Sequence, residues 1–306
     1  MDDIVLRDGI PIEKGVVLTK DSLDRNQELF TNYLNYWLLY PDELLDAIQD
    51  SEDAKHFHLF GFQRIALRAS LRYRYHSMTA TRATSKSFIA YLAAFLRCIL
   101  LPNSNIVIAS DVKGTVVKIA EAKFEEIFRH WPLLRAELKT RADDGKQGEK
   151  AGKDYFELYV KNGSSLTVVS KDKSRGIRTT ALVLEESATM DQYNYTEVLL
   201  PQLNIKRKSS DGSLNPEEPS SPQTFITTAA SKTTFMYGKL IEMVVDEVLR
   251  PEEVFVWGSS YEMPLHYGLI DRATIMDQRY STTMDEDSFA RKLLREYIVI
   301  YIKKVS

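Results

Sequence analysis

Lys86 and Ser87 end the run Ala80-Thr81-Arg82-Ala83-Thr84-Ser85-Lys86-Ser87, and Glu185 and Glu186 close the apolar stretch Thr179-Thr180-Ala181-Leu182-Val183-Leu184. A lysine followed by a hydroxyl suits a triphosphate: the ammonium reaches the β and γ oxygens, and the hydroxyl ligates Mg2+ beside them. Two carboxylates at the end of a strand supply the remainder. One serves the metal, and the other polarises an attacking water as a general base. In that order, the two pairs are the minimum equipment for hydrolysing ATP. The first run follows the pattern G-x-x-x-x-G-K-[ST] with Ala80 and Ser85 in the glycine places. Losing glycine removes the cheapest route to positive φ, which leaves the path of the loop open. A plainer reading of Ser85-Lys86-Ser87 is an N-cap for the next helix. The plainer reading of Glu185-Glu186 is a solvated strand end.

Such residues need a strand before each motif and a helix after the first. Tyr73 to Ala80 has strand character, and Ser87 to Leu100 is apolar enough for a buried helix. Further strands are predicted at Ile106 to Ser110, Ala181 to Leu184, Thr224 to Thr228 and Val254 to Trp257, with an amphipathic helix at Val116 to Phe128. Tyr155 to Val160 and Leu166 to Ser170 form a predicted hairpin turning at Lys161-Asn162-Gly163. Short apolar strands separated by helices predict an α/β fold whose mostly parallel sheet is covered on both faces. Open sheets of this kind bind ligands at the carboxyl ends of their strands. Helical spacing also marks Leu29-Phe30-Tyr33-Leu34-Trp37-Leu38 and Pro41 to Ile48, whose apolar faces are expected to pack on the main domain. Lys139 to Lys153 and Lys206 to Gln223 are expected to be flexible from their charge, Gly, Ser and Pro content. Ser288 to Lys304 suggests a mixed amphipathic helix.

Composition narrows the partners. A net charge of −3 over 306 residues gives no global basic field to announce a nucleic acid. Cys98 is the sole cysteine, which excludes an intrachain disulfide and suits a reducing compartment. The opening residues lack the pattern of a secretion signal. The longest apolar run, Phe88 to Leu101, is interrupted by Arg97 and stopped by Pro102, too short for a bilayer. A soluble intracellular protein without a membrane partner is expected.

Four further features add to the two motifs. Arg82 lies inside the phosphate loop, four residues before Lys86. Phe62-Gln63-Arg64 lies upstream of it, Ser174-Arg175-Gly176 precedes the acidic strand, and Thr227-Thr228-Ala229 ends the strand after it. With these, the chain from about Phe62 to about Thr228 resembles the ATPase domain of the large terminase subunit of tailed bacteriophages, the DNA-packaging motor. The resemblance implies a P-loop NTPase of RecA/ASCE type with a small helical lid subdomain. It implies an N-terminal lid-associated segment over 1–55, an ATPase core over 56–230, and a C-terminal part of the domain or lid over 231–306.

Residue roles follow from the same resemblance. Phe62 and Gln63 would bind the adenine, with Gln63 reading its amino group and N7. Arg82, Ala83, Thr84, Ser85, Lys86 and Ser87 would cradle the phosphates, Arg82 sensing the γ-phosphate. Ser87 and Glu185 would hold Mg2+, and Glu186 would be the base. Glu185 stands where the usual residue is Asp. Arg175 would be the finger delivered to a neighbouring subunit's ATP, with Arg178 in reserve; Thr228 would relay loss of the γ-phosphate to the lid. The implied partners are double-stranded DNA, a ring of like subunits (pentameric on the motor), the portal protein and the small terminase subunit. The implied location is the host cytoplasm, and transiently the procapsid portal. DNA would be held through its phosphates by basic residues of Lys139 to Lys153 and by Lys206-Arg207-Lys208, weakly and with salt sensitivity. The family's nuclease needs several acids around two metals, and no nuclease domain is expected within these 306 residues: either this is an isolated ATPase part or the nuclease lies elsewhere. Asp277, Asp285, Glu286 and Asp287 are expected to be solvated loop acids. Two alternatives stay open. A superfamily 2 helicase-like motor would need a second RecA-like half, for which too few residues follow the acidic pair. A degenerate nucleotide-binding ring component would explain the missing glycines and Glu185.

Overall fold

The computed structural model describes residues 4–7, 10–13, 33–110, 116–140, 148–170, 174–216, 218–228 and 234–280. An antiparallel hairpin of β1 (Ile4–Arg7) and β2 (Ile10–Glu13) comes first. An eight-stranded sheet organises the rest. In chain order its strands are β3 (Tyr75–Ala80), β4 (Asn105–Ser110), β5 (Glu149–Ala151), β6 (Tyr155–Tyr159), β7 (Ser165–Ser170), β8 (Ala181–Glu185), β9 (Gln223–Thr227) and β10 (Val254–Ser259). Across the sheet they run β10-β3-β9-β8-β4-β7-β6-β5. From β10 to β7 the pairing is parallel, and β6 and β5 add an antiparallel edge. Residues 33–39 are helical, and the further α-helices are α1 (Pro41–Ile48), α2 (Gly61–Arg72), α3 (Lys86–Leu100), α4 (Val116–His130), α5 (Pro132–Ala136), α6 (Thr234–Leu249), α7 (Glu262–His266) and α8 (Arg272–Arg279).

Period-two alternation gives the sheet two buried faces. Met78, Ile106, Ile108, Val183 and Ile226 join a core with α2, α3 and α4. Their chain neighbours Val107, Ala109, Leu182, Leu184 and Phe225 join a second core with Met236 and Met243 of α6. Both faces being covered explains why these strands read as continuous apolar runs. Helix α3 is buried on nearly every side, as its all-round apolar sequence requires. The N-terminal helices pack on this body as expected. Trp37, Leu44 and Leu45 enter the first core. Buried Asp42 accepts hydrogen bonds from Arg68 Nε and Nη2, each at 2.6 Å, and from Arg64 Nη1 at 3.2 Å.

Three segments depart from the sequence expectation. The hairpin of β6 and β7 turns through Gly163 at φ +86° as anticipated, but β7 also pairs in parallel with β4 and so extends the main sheet. Lys139 to Lys153 is not loose throughout: the Lys139 N–H donates to Tyr159 O at 2.9 Å, and β5 pairs with β6. Residues 141–147 lie outside the described residues. Lys206 to Gln223 is irregular yet anchored. Arg207, its side chain 6% exposed, pairs with Glu218 and donates to Pro102 O at 2.9 Å. That burial withdraws Arg207 from the candidate DNA contacts and places it at the end of α3 remote from Lys86. Ser288 to Lys304, Leu29 and Phe30, and Asp285 to Asp287 fall outside the described residues, while Asp277 lies on α8. Among the described residues no helix is long and apolar enough to cross a membrane.

Candidate nucleotide-binding site

β3 stops at Ala80, and α3 begins at Lys86, so Thr81 to Ser85 form a strand-to-helix loop. Ala80 stays extended and pairs with Ser259, so the first glycine place of the pattern needs no positive φ. The left-handed residues are Ala83, at φ 66°, and Ser85, at φ 56°. Ser85 thus takes the turn its glycine counterpart would take, and Ala83 adds another that the pattern does not mark. Left-handed backbone costs an L-residue roughly 1–2 kcal/mol. Ala83→Gly, at this exposed position, is therefore expected to raise the unfolding free energy by about 1 kcal/mol. A urea titration reads the change; a loss of stability would mean that the loop follows a different path.

The loop closes on itself. Thr84 Oγ1 donates to Thr81 O at 2.7 Å, and Lys86 Nζ donates to the same carbonyl at 2.7 Å and to Thr84 Oγ1 at 3.4 Å. The Thr81 N–H donates to Ser259 O at 3.3 Å, tying the loop to β10. The first free N–H groups of α3 and its positive dipole end face this loop, an arrangement that favours anions. Ser85 makes no side-chain capping bond, so the plain N-cap reading does not hold. Ser87, half-buried, is the second residue of α3. Arg82 is exposed on the loop and has no hydrogen bond or ion pair among the described residues.

The acidic pair splits between two environments. Glu185, 7% exposed, accepts a hydrogen bond from the Tyr91 phenol at 3.0 Å. Burial first, then the charge of Glu185, pushes that phenol well above its usual pKa, so it remains a donor. Glu186 turns the chain at φ 51° and is half-buried. Its carboxylate accepts the Thr228 hydroxyl at 2.6 Å and lies 3.4 Å from the Thr228 N–H. Glu185 is therefore no solvated strand end, and Glu186, though partly open to solvent, is held by Thr228. β9 lies between β3 and β8. The loop and Glu185 therefore sit on the same carboxyl edge, about 10 Å apart at two strand spacings. A triphosphate can bridge that interval.

Mg2+ suits this donor set. Among the described residues no three His, Cys, Asp or Glu side chains cluster into a cage for a metal. One buried carboxylate and one hydroxyl beside phosphate oxygens and water are the ligands Mg2+ ordinarily takes.

On the β10 side of the loop lies an aromatic group. Gln63, 6% exposed, caps α2 by accepting the Phe60 N–H at 2.9 Å through Oε1. Next to it Phe62 stacks on Trp257 with ring centroids 5.9 Å apart and an interplanar angle of 4°. Tyr267 lies 5.2 Å from Phe62 and 4.8 Å from Phe60. Trp257 and Tyr267 were not marked by the sequence, because nothing local distinguishes them from other core aromatics. Arg175 is exposed on the segment before β8, where Nη2 donates to the Tyr193 hydroxyl at 2.9 Å. Its guanidinium lies 5.9 Å from that ring's centroid. Arg178 is exposed as well. No contact among the described residues joins either arginine to the Lys86 loop.

No family model matches the chain, and no curated protein sequence does. Solved structures do match. The ATPase domain of the large terminase of Thermus phage P74-26 superposes with a TM-score of 0.52 at 13% identity, covering 78% of this chain and 93% of that one. The large terminase of another thermophilic bacteriophage, solved in complex with ADP, matches with a TM-score of 0.52 at 10% identity. That match covers 76% of this chain and 52% of the other. The chain has the fold of these ATPase domains: a mostly parallel sheet of eight strands flanked by helices.

Proposed function

We propose that this chain is an ATP-hydrolysing motor domain that drives double-stranded DNA into a viral procapsid, the ATPase part of a terminase large subunit. The observation that carries this reading is the bond between Glu186 and Thr228 at the sheet edge that also holds the Lys86 loop. A residue at the end of one strand and an acid at the end of its neighbour are thereby coupled through a 2.6 Å contact.

In this reading ATP lies along the edge from the aromatic group to the acids. Gln63 and Phe62 hold the adenine, and the N–H groups of Ala83 to Ser87 meet the phosphates. Lys86 exchanges Thr81 O for a β- or γ-oxygen, and Arg82, exposed on the same loop, reaches the γ-phosphate. Ser87 and Glu185 would hold Mg2+, which would supply neutralisation of the phosphate charge when bound. Glu186 takes the proton of the attacking water. Thr228 feels the change at Glu186 and passes it to the segments after β9 that are expected to form part of the lid. Arg175 serves the site of the next subunit in a ring, pentameric on the motor. DNA is held through its phosphates, and the portal and small subunit complete the assembly. The setting is the host cytoplasm, with docking at the procapsid portal.

Phosphate release by the full chain, with and without linear double-stranded DNA, tests the reading. Turnover that DNA stimulates is the expected result; failure to bind ATP at all would overturn it. Thr228→Val removes the hydroxyl donor while keeping the side chain's shape. It is expected to slow phosphate release by about tenfold or more while ATP binding persists, given the strength of hydrogen bonds to charged groups. A simultaneous loss of ATP binding would assign Thr228 a structural role.

A further inference from the structure

Tyr91 is fully buried, and neither the phosphate loop nor the acidic pair announced it. Its ring packs against Phe124, centroids 5.6 Å apart, and its hydroxyl meets Glu185 Oε2 at 3.0 Å. The acid that holds Mg2+ at this place in P-loop enzymes is commonly Asp. Glu185 adds a methylene and with it one more rotatable bond, which loosens the position of the carboxylate. We infer that Tyr91 is a positioning residue for Glu185, its phenol bracing the longer carboxylate where it can hold the divalent cation of a bound nucleotide.

The inference rests on the nucleotide-binding reading above, and the helix supplies its geometry. Tyr91 lies on α3, the helix that opens with Lys86. One rigid, buried element therefore carries both the phosphate-facing ammonium and the brace on the metal-facing carboxylate. The phenol takes up one lone pair of Oε2, and a carboxylate has further lone pairs that would serve the cation or its water. Outer groups of this kind matter: removing the hydrogen-bond partner of a metal ligand typically costs about 10–100-fold in metal affinity.

Mn2+ binding to the protein–ADP complex, followed by the EPR signal of free Mn2+, tests the inference without relying on turnover. Tyr91→Phe fits the same space and is expected to weaken Mn2+ by about tenfold or more while ADP affinity in EDTA stays unchanged. In a Glu185→Asp background the shorter side chain does not reach the phenol. There, adding Tyr91→Phe is expected to change Mn2+ affinity by less than about twofold, since the coupled pair is already broken. A purely structural tyrosine would lower both backgrounds alike. Equal losses in the two backgrounds, or unchanged Mn2+ affinity in Tyr91→Phe, would overturn the inference while leaving the nucleotide reading intact. If the unmutated protein bound no Mn2+ with ADP, the nucleotide reading would fall and this inference with it.

Discussion

Glu186→Gln is expected to bind ATP as the parent protein does and to release almost no phosphate. The amide is isosteric with the carboxylate, and its oxygen still accepts the Thr228 hydroxyl that now sits 2.6 Å away. The backbone at φ 51° needs no adjustment, because both side chains branch at the same place. What changes is basicity. General-base catalysis contributes about 10²–10⁴ in rate, so turnover should fall by that order. Nucleotide binding by filter retention, run beside a phosphate-release assay, separates the two steps. Equal turnover in both proteins would remove Glu186 as the base. Glu186→Ala would be a poorer probe, since it also abolishes the contact to Thr228.

Arg175→Ala is the second substitution with a large expected effect. An arginine inserted into a neighbour's active site meets charge that develops only in the transition state, and is worth about 10³–10⁵ in rate. Turnover of the assembled protein should drop accordingly, while folding stability barely moves. The side chain is exposed and contacts only the exposed Tyr193 among the described residues, and surface contacts of this sort contribute little. The inter-subunit character has its own signature. Mixing Arg175→Ala with Lys86→Ala pairs an intact phosphate loop in one protein with an intact finger in the other. Partial recovery of turnover is expected; no recovery at any mixing ratio would place the arginine's action elsewhere. Arg178→Ala serves as the comparison, because it is equally exposed and nearby. A loss confined to Arg178→Ala would transfer the role to it.

The Lys86 loop shows how far local pattern reaches. The spacing of Lys86 and Ser87 located the strand-to-helix junction, since a strand must precede such a loop and an apolar helix must follow it. The pattern also located one left-handed turn, at Ser85. The second, at Ala83, was hidden, because glycine is the only residue whose presence advertises positive φ and this chain uses alanine there. Charge misled in the same way at Arg207. A Lys-Arg-Lys run with Ser and Pro behind it has the composition of a solvated, flexible segment. Only the fold brings Glu218 and Pro102 O to that guanidinium and buries it.

By itself, then, the chain determined strands β3, β4, β8, β9 and β10, the hairpin of β6 and β7, helices α1, α3 and α4, and a sheet covered on both faces, and it nominated an ammonium, a hydroxyl and two carboxylates for a triphosphate; β1, β2, β5 and α6 were not marked. Those properties are carried by side-chain type and by periods of two and 3.6 residues, which are visible locally. Tertiary structure alone decided the neighbours. Placing β9 between β3 and β8 puts Thr228 against Glu186, the buried course of α3 sets Tyr91 against Glu185, and β10 delivers Trp257 beside Phe62. The physical reason is that every strand offers the same row of N–H and C=O groups, so pairing is chosen by packing over the whole domain rather than by any one segment.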